Sequence, residues 1–215
     1  DIVFFYDQLR DKQQASTSCI NVSKFIEVFK KELDKGNDIL SISLSSGLSS
    51  TYQNSLIAKD ELIKDYPDRK IICVDSLLAS YGTGMLIYDA GMLYKQGKSI
   101  EEVANLLNNN KLKATALFTV MDLYYLYKGG RVKTSSYYLA KAIKIKPLLH
   151  VNNEGKLVPF GKAIGRKKSL ITLVEKMVST LTNPEEAIIY IGHGDCEEDV
   201  DYVIEQINKR INVKG

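Results

Sequence analysis

With 215 residues, a formal net charge of +3 and 45% hydrophobic side chains, the sequence has the composition of a globular protein with a substantial core. Lysines are interspersed with acidic residues instead of forming blocks, which argues against a nucleic-acid-binding protein. Cys19, Cys73 and Cys196 form no Cys-x-x-Cys pair, so neither a disulfide framework nor a zinc site is expected, and a cytoplasmic location fits best. No apolar run approaches the roughly 18 residues of a membrane span, and the first residues do not have the pattern expected of a signal peptide.

The two ends of the sequence are unusual for a complete protein. The chain starts at Asp1 without a methionine and stops at Gly215, directly after a predicted helix that would normally lead into another strand. We therefore expect the sequence to be part of a longer protein.

The first half of the chain alternates helix and strand patterns. Strands are predicted from the alternating apolar residues at 39–44 and from the apolar run at 70–74. Helices are predicted at the start of the chain (1–14), before Gly36, after the first strand, at 78–96 and after Ser99. This alternation predicts a parallel sheet covered by helices, which we assign to a first domain, residues 1–113.

The second half of the chain has a different, α+β pattern. The predicted elements are strands at 115–120 and 187–191 and helices at 137–143, at 166–181 and after Asp195. Residues 146–151 and 156–160 are predicted to pair across Asn152-Asn153-Glu154-Gly155, a hairpin turn. The expected fold class is therefore α/β, with a parallel-sheet α/β first domain and a smaller α+β second domain at 114–215.

Three helix starts carry the spacing of a capping box, in which a Ser or Asp side chain and a Glu or Gln three residues later each bind a backbone N–H group. The three pairs are Ser50 with Gln53, Ser99 with Glu102, and Asp195 with Glu198. We expect each pair to fix the first turn of its helix.

A serine-rich loop, defined here as Ser45–Ser50, joins the first predicted strand to the following helix. Backbone N–H groups at the start of a helix have no partner within the helix, and the helix dipole favours an anion there. Hydroxyls such as those of Ser46 and Ser49 would add short donors, so the loop is expected to hold a small oxygen-rich anion. Serines also cluster at helix starts because they cap well, and that explanation remains open.

The loop lacks the motifs of common phosphate and nucleophile sites. There is no Gly-x-x-x-x-Gly-Lys-Ser/Thr loop for a nucleotide phosphate and no Gly-x-Gly-x-x-Gly loop for a dinucleotide. There is also no Gly-x-Ser-x-Gly elbow to expose a nucleophilic serine. Hydroxyl and backbone donors can bind a carboxylate, with bonds that are stronger when they are charge-assisted.

Thr17 and Ser18 form a second hydroxyl-rich turn before a predicted helix. Ligands of open α/β sheets bind at the carboxyl ends of the strands, where this turn and the serine-rich loop could converge. A capping role would explain only one of the two hydroxyls.

Arg131 follows a Gly129-Gly130 turn and allows two interpretations. It is either a solvated charge at the end of a helix or a mobile guanidinium that pairs with a carboxylate or phosphate. His193 lies at the end of a predicted strand and is expected to be structural, and His150 lies in a hairpin strand without an assigned role. Two histidines without matching carboxylates do not predict a metal site.

The second half also contains apolar stretches at 122–127 and 143–149. Packing in the core is their default explanation. The alternative is that they line a site for a long apolar ligand, because small-molecule sites are mostly apolar with a few polar anchors.

Six ordered stretches of the sequence resemble the DegV family, bacterial fatty-acid-binding proteins also called FakB. They are Thr17-Ser18, Leu44-Ser-Ser-Gly-Leu-Ser-Ser-Thr-Tyr-Gln53, Val74-Asp75-Ser76, Lys128-Gly-Gly-Arg131, Ile145-Lys-Pro-Leu148 and 161–168. The resemblance extends over essentially the whole chain. It implies an α/β first domain and a smaller second domain, with the ligand buried between them.

The resemblance also implies a function. Thr17 and Ser49 would hold the carboxylate of a long-chain fatty acid, with Ser18, Ser46 and Arg131 near it, and the acyl chain would enter an apolar tunnel in the second domain. The protein would not be an enzyme and would need no cofactor. It would present the acid to a separate ATP-dependent fatty acid kinase, which makes an acyl phosphate for phospholipid synthesis, and peripheral membrane contact would serve lipid exchange.

The sequence departs from the family pattern at several positions. Cys19-Ile20 replaces Gln-Pro, and Ser50 replaces a glycine, which adds a side chain beside the expected carboxylate. The family's first strand with its Asp-Ser turn and its terminal histidine and Gly-Pro-Gly loop have no counterpart here. His193 occupies an earlier position and does not replace that histidine.

Two other functions remain open from the residues alone. A hydrolase or acyl transferase could use a serine of the serine-rich loop, provided that a histidine or lysine base lies within hydrogen-bond reach. A domain that docks to or regulates a kinase without a lipid is the third alternative. A ligand with a long apolar tail would exclude both.

Overall fold

The computed structural model describes residues 1–133 and 145–215. Contacts divide the chain into two compact units. The parallel-sheet unit comprises Ser18–Ala116 and Val151–Lys156, and the antiparallel-sheet unit comprises Asp1–Thr17, Leu117–His150 and Leu157–Gly215. The helix predicted at 137–143 lies outside the described residues.

The described chain contains the following helices and strands. The α-helices are α1 (Ile2–Arg10), α2 (Val22–Leu33), α3 (Thr51–Leu62), α4 (Tyr81–Lys95), α5 (Ile100–Asn110), α6 (Tyr124–Lys128), α7 (Arg166–Thr180) and α8 (Glu197–Asn208). The strands are β1 (Ile39–Ser43), β2 (Ile71–Asp75), β3 (Leu117–Thr119), β4 (Ile145–Val151) and β5 (Leu157–Ile164). Short 3-10 turns lie at Lys111–Lys113 and Pro184–Glu186.

The parallel-sheet unit is built on β1 and β2, which pair in parallel with Ile39 opposite Ile71 and Ser43 opposite Asp75. Their side chains alternate between two apolar clusters because successive residues of a strand point to opposite faces. One cluster joins Ile39 and Ile71 to α2 and α3, and its members include Phe25, Phe29, Leu33, Ala58 and Leu62. The other joins Val74 to α4 and α5, and its members include Leu86, Ala90, Val103, Ala104 and Leu107.

Burial on both faces explains why both strands consist largely of apolar residues. Burying one side chain such as Leu62 stabilises the fold by about 1.5–3 kcal/mol. The prediction of a parallel sheet covered by helices is confirmed.

The antiparallel-sheet unit is built on a three-stranded sheet with the order β3-β4-β5. β3 runs antiparallel to β4, with Leu117 opposite His150. β4 and β5 are joined by the predicted turn, in which the N–H group of Gly155 donates to the carbonyl of Asn152 at 2.9 Å and Gly155 has a φ of +69°. The hairpin prediction and the α/β fold class are confirmed.

Helix α1 is fixed to the antiparallel-sheet unit by side chains from distant parts of the sequence. The Tyr125 hydroxyl contacts the carbonyls of Leu9 and Gln13, each at 3.0 Å. Arg10 forms an ion pair with Asp195, and its Nη2 also donates to the Asp195 carbonyl at 3.1 Å. These contacts attach the start of the chain to α6 and to the loop that precedes α8.

Two of the sequence predictions in this unit are wrong. Residues 187–191 form no strand, because their backbone bonds to distant described residues are limited to Lys214 and Gly215, too few for a ladder. Asp195 does not cap α8, because its carboxylate is paired with Arg10 and Cys196 takes the N-cap position without a side-chain bond. The Cys196 N–H group instead donates to His193 Nδ1 at 3.2 Å, a structural role for this histidine.

Candidate functional site

The serine-rich loop begins at the carboxyl end of β1 with Ser45, which is fully buried. The Ser45 N–H group donates to the carbonyl of Leu78 at 2.8 Å. Its hydroxyl donates to the carbonyl of Gly155 at 2.7 Å and accepts from the N–H group of Gly47 at 3.0 Å. Because both hydrogen-bonding functions of this hydroxyl are used, Ser45 holds the loop in place and has no proton left for a ligand.

The backbone of the loop is also paired within the protein. The N–H groups of Leu48 and Ser49 donate to the Ser45 carbonyl at 3.0 and 3.2 Å, and that of Ser46 donates to Asp75 Oδ1 at 3.1 Å. The expected set of open backbone donors from 46 to 49 is therefore absent from this described loop. Donors for an anion must come from side chains.

Ser49 carries the hydroxyl best placed to act as such a donor. Its side chain is half-buried, and Ser49 Oγ lies 2.8 Å from Oγ1 of the buried Thr51. Ser49 Oγ also accepts from the Thr51 N–H group at 3.3 Å. If Thr51 donates its hydroxyl proton to Ser49, the proton of Ser49 is available to a ligand.

The predicted capping box of Ser50 and Gln53 is wrong. Ser50 is the residue before α3, but its side chain makes no capping bond. Its φ and ψ of −74° and 4° differ from the extended backbone that normally points an N-cap hydroxyl at the first turn. Ser99 and Glu102, by contrast, form the predicted reciprocal box at the start of α5.

The carboxyl end of β2 lies beside the serine-rich loop. Asp75, which is 9% exposed, accepts from the N–H group of Leu77 at 3.0 Å as well as from that of Ser46. The N–H group of Ser76 donates to the Ser43 carbonyl at 3.1 Å. Burial raises the pKa of Tyr52, and the nearby Asp75 carboxylate adds to this effect. The loop therefore has a negative charge on the side of Ser46.

Two glycines allow the β4–β5 turn to approach the loop closely. A Cβ atom on Gly47 would lie 2.5 Å from the Glu154 carbonyl oxygen. A Cβ atom on Gly155 would lie 1.9 Å from Ser45 Oγ, and the positive φ of Gly155 also favours glycine. Glycine is thus required at both positions by geometry.

Thr17 and Ser18 are both exposed, in a segment of irregular structure before α2. Neither caps that helix, because Asn21 is its N-cap and accepts from the Lys24 N–H group at 2.9 Å. Thr17 falls in the antiparallel-sheet unit and Ser18 in the parallel-sheet unit.

The segment after Ser18 is tied to the first turn of α3. Asn54 Nδ2 donates to the Ile20 carbonyl at 2.8 Å and lies 3.7 Å from Cys19 Sγ. Asn54 lies three residues after Thr51 on α3. Ile20 therefore lies beside the first turn of α3, the helix that follows the serine-rich loop.

Arg131 lies in the antiparallel-sheet unit, directly after α6. Its N–H group donates to the Leu126 carbonyl at 2.9 Å, and its guanidinium donates to the Gly129 carbonyl. Gly130 has a φ of +74°, the left-handed conformation common after a helix. This geometry agrees with the interpretation of Arg131 as a charge at a helix end.

The described residues contain neither a metal-binding cluster nor a membrane-spanning helix. Among residues 1–133 and 145–215, no group of three or more His, Cys, Asp or Glu side chains could hold a metal ion. In the same residues, no helix has the length and apolar character needed to cross a bilayer.

The whole chain is similar in sequence to known proteins. The model of the DegV family, described as "Uncharacterised protein, DegV family", matches residues 1–214. A DegV domain-containing protein of Clostridium perfringens is 41% identical over 210 residues, which cover 98% of this chain and 72% of that protein.

Two solved structures resemble this chain over almost its whole length. A hypothetical protein of Thermotoga maritima, whose structure is described as revealing a fatty-acid-binding function, is 29% identical with a TM-score of 0.75, over 99% of this chain and 73% of that one. The fatty acid kinase B3 protein of Streptococcus pneumoniae, solved with linoleic acid, is 23% identical with a TM-score of 0.85, over 98% of this chain and 73% of that one, and shares the fold. The family match along almost the whole sequence, together with the 41% identity, shows that the chain belongs to the DegV family.

Proposed function

We propose that this chain binds the carboxylate of a long-chain fatty acid at the serine-rich loop. The observation that carries the proposal is the half-buried Ser49 hydroxyl, which accepts from the Thr51 N–H group and can donate its own proton to a ligand when the Thr51 hydroxyl donates to it. The fatty acids described for the Thermotoga maritima and Streptococcus pneumoniae relatives support this choice of ligand. A charge-assisted hydrogen bond from one hydroxyl contributes about 1.5–3 kcal/mol.

The other residues predicted to bind the carboxylate are assigned weaker roles. Ser18 lies two residues before Ile20, whose carbonyl binds Asn54, and its hydroxyl is proposed as a second donor by the family resemblance. Thr17 is proposed as a further donor by the family resemblance. Ser46 is exposed and close to the Asp75 carboxylate, which would repel an acid, so its contribution is expected to be small.

The family resemblance also suggests a role for Arg131 and a location for the acyl chain. Arg131 would act as a cation near the head group or the kinase-facing surface. The acyl chain is assigned to the second domain, residues 114–215, and the carboxylate to the first, residues 1–113. Both assignments rest on the family resemblance.

We further propose that the protein is a carrier and not an enzyme. A separate ATP-dependent fatty acid kinase would phosphorylate the bound acid, and peripheral membrane contact in the cytoplasm would allow lipid exchange. Two tests follow: the purified chain with ATP should form no acyl phosphate, and addition of a bacterial fatty acid kinase should produce it. Acyl phosphate without the kinase would contradict the carrier role.

The serine-enzyme alternative is less well supported by this loop. A nucleophilic serine needs a base that accepts its proton. The Ser45 hydroxyl donates to a peptide carbonyl and Ser49 is paired with Thr51, and neither partner is a base.

The first experiment is mass spectrometry of lipids extracted from the purified protein. A co-purified long-chain fatty acid that is reduced in Ser49→Ala would support the proposal. Ser179→Ala is a matched control, because its hydroxyl donates within α7 to the Lys176 carbonyl. Wild-type protein that contains no fatty acid and does not bind oleate in a titration would contradict it.

A further inference from the structure

Helix α4 presents an apolar face to solvent. Five large apolar side chains on or beside this face are between 39% and 75% exposed: Tyr81, Ile87, Tyr88, Met92 and Tyr94. From Tyr81 to Tyr94 the helix has a single charged residue, Asp89, although charged residues make up 26% of the whole sequence. A helix that is apolar on all sides is normally buried on all sides, so this face is expected to have a partner.

The opposite side of α4 already packs inside the parallel-sheet unit, where Leu86 and Ala90 are buried in the same apolar cluster as Val74. Six residues on the exposed side, named here the α4 stripe, fall within about 140° of the helix circumference at 3.6 residues per turn. They are Tyr81, Gly84, Ile87, Tyr88, Gly91 and Tyr94. The space beside both glycines is open, because a Cβ atom on either would meet no described neighbour within 4 Å.

The order of residues in the α4 stripe is symmetric. Its members form three pairs centred on one point, midway between residues 87 and 88: Tyr81 with Tyr94, Gly84 with Gly91, and Ile87 with Tyr88. An interface between two identical chains related by a two-fold axis is self-complementary, since residue i contacts residue j wherever j contacts i. Two antiparallel copies of the α4 stripe meet this condition, with tyrosine opposite tyrosine and glycine opposite glycine.

The two glycines give such a pair room for close packing. When two helices pack side by side, a side chain of one enters a hole between four residues of the other, at i, i+3, i+4 and i+7. In the α4 stripe these four are Gly84, Ile87, Tyr88 and Gly91. Two sides of the hole therefore have no side chain, and the large ring of Tyr88 from the second copy fits there.

The area of this face agrees with a small dimer interface. With about 200 Å² for a whole side chain of this size, the exposed parts of the five large residues amount to roughly 500 Å². Two copies would together bury roughly 1,000 Å², the lower limit for a specific interface. A membrane surface fits less well, because membrane-binding helices are rich in Lys and Arg, and α4 has only Lys95.

We propose that two copies of this chain associate through antiparallel α4 helices, with the two-fold axis between residues 87 and 88. The interface is small, so the dimer dissociates readily and its Kd is in the micromolar range. The whole α4 stripe belongs to the parallel-sheet unit. The proposal does not depend on fatty-acid binding.

Sedimentation velocity of the chain at about 1–200 µM tests the association. We expect a concentration-dependent dimer, and Ile87→Glu should raise its Kd about tenfold or more, because it places a charge at the centre of the interface. Ile57→Glu is the matched control, because Ile57 on α3 is 47% exposed, against 52% for Ile87, and lies outside the α4 stripe. A monomer at every concentration, or equal effects of the two substitutions, would overturn the proposal. A monomer whose binding to phosphatidylglycerol vesicles is lost in Ile87→Glu would assign the face to a membrane instead.

Cysteine cross-linking tests the antiparallel register, in a Cys19→Ser background that removes the exposed native thiol. Under mild oxidation, a mixture of Tyr81→Cys and Tyr94→Cys proteins should form a disulfide-linked heterodimer, whereas neither protein alone should cross-link. Peptide mass spectrometry identifies the linked residues, and circular dichroism checks that each variant is folded. Cross-linking of each protein with itself would indicate parallel helices and would contradict the proposal.

Discussion

The hydroxyl of Ser45 donates a 2.7 Å hydrogen bond to the carbonyl of Gly155, a residue 110 positions later in the sequence. Both groups are enclosed, since Ser45 is fully buried and Gly155 has no room for a Cβ atom. The serine-rich loop is thus held by the β4–β5 turn as well as by its own backbone. Ser45 is a structural residue, and Ser49 is the residue proposed to bind the carboxylate.

Ser45→Ala is predicted to destabilise the protein. The substitution removes the donor to the buried Gly155 carbonyl and the acceptor of the Gly47 N–H group, so the free energy of unfolding should fall by about 1–3 kcal/mol. Urea denaturation measures this change. A loss of fatty-acid affinity larger than that of Ser49→Ala, measured on folded protein, would show that the roles of the two serines are reversed.

Gly47→Ala is predicted to destabilise the protein through overpacking. The new methyl group would lie 2.5 Å from the Glu154 carbonyl oxygen, and relief of this contact should cost about 1–3 kcal/mol. Gly91→Ala in α4 is the control, because it has open space and should raise the free energy of unfolding by about 0.5–1 kcal/mol. Equal effects of the two variants in urea denaturation would show that the β4–β5 turn moves away from the new methyl group at little cost in free energy.

Ser49→Ala and Thr17→Val are each predicted to weaken fatty-acid binding. Loss of one carboxylate donor should cost about 1–2 kcal/mol, or about a 5- to 30-fold increase in Kd. Thr51→Val should act in the same direction, because it removes the hydroxyl that orients Ser49. Titration with a fluorescent fatty acid measures each Kd, and unchanged values in both Ser49→Ala and Thr17→Val would exclude the proposed anchor.

The cysteines are predicted to react with iodoacetamide at different rates. Cys19 is exposed, whereas burial raises the pKa of the Cys73 thiol, which also donates to the Ser55 carbonyl at 3.6 Å. A raised pKa leaves less of the reactive thiolate near pH 8. Peptide mass spectrometry should therefore find Cys19 modified well before Cys73, and the reverse order would contradict the packing of β2 against α3.

The capping box of α5 is predicted to make stability depend on pH. A hydrogen bond from the Ser99 backbone N–H group, with a smaller contribution from Lys98, lowers the pKa of Glu102. Because the folded pKa lies below the unfolded value near 4.3, this stabilisation is present above about pH 5 and is lost as the pH falls through the folded pKa. Glu102→Gln should therefore differ most from wild type near neutral pH and least below pH 4, in urea denaturation at each pH.

Local patterns predicted those parts of the fold in which the determining residues are close in sequence. The Ser99 and Glu102 box is closed within one turn, and the β4–β5 turn is closed by Asn152 and Gly155. The two strands of the parallel-sheet unit were recognisable because apolar residues cover both faces of the sheet.

Predictions failed where a distant residue changes the outcome. Asp195 has the spacing of a capping residue, but its carboxylate forms an ion pair with Arg10. The serine-rich loop has the composition of an anion site, but Asp75 takes the Ser46 N–H group, and Ser45 is fixed by Gly155. Among the described residues, Thr119 Oγ1 and Arg166 Nη1 are buried without a hydrogen-bond partner, and no sequence pattern predicts this because only packing buries them.

The bond between Ser45 and Gly155 also has a consequence for synthesis on the ribosome. At about 5–20 residues per second, the 110 residues between the partners take roughly 5–20 s to make. During this interval α2, α3 and the β1–β2 pair can assemble, but the Ser45 hydroxyl has only water as its acceptor. The serine-rich loop is therefore completed only when the β4–β5 turn has been made, so nascent chains that end before residue 155 should fold without the Ser45–Gly155 bond.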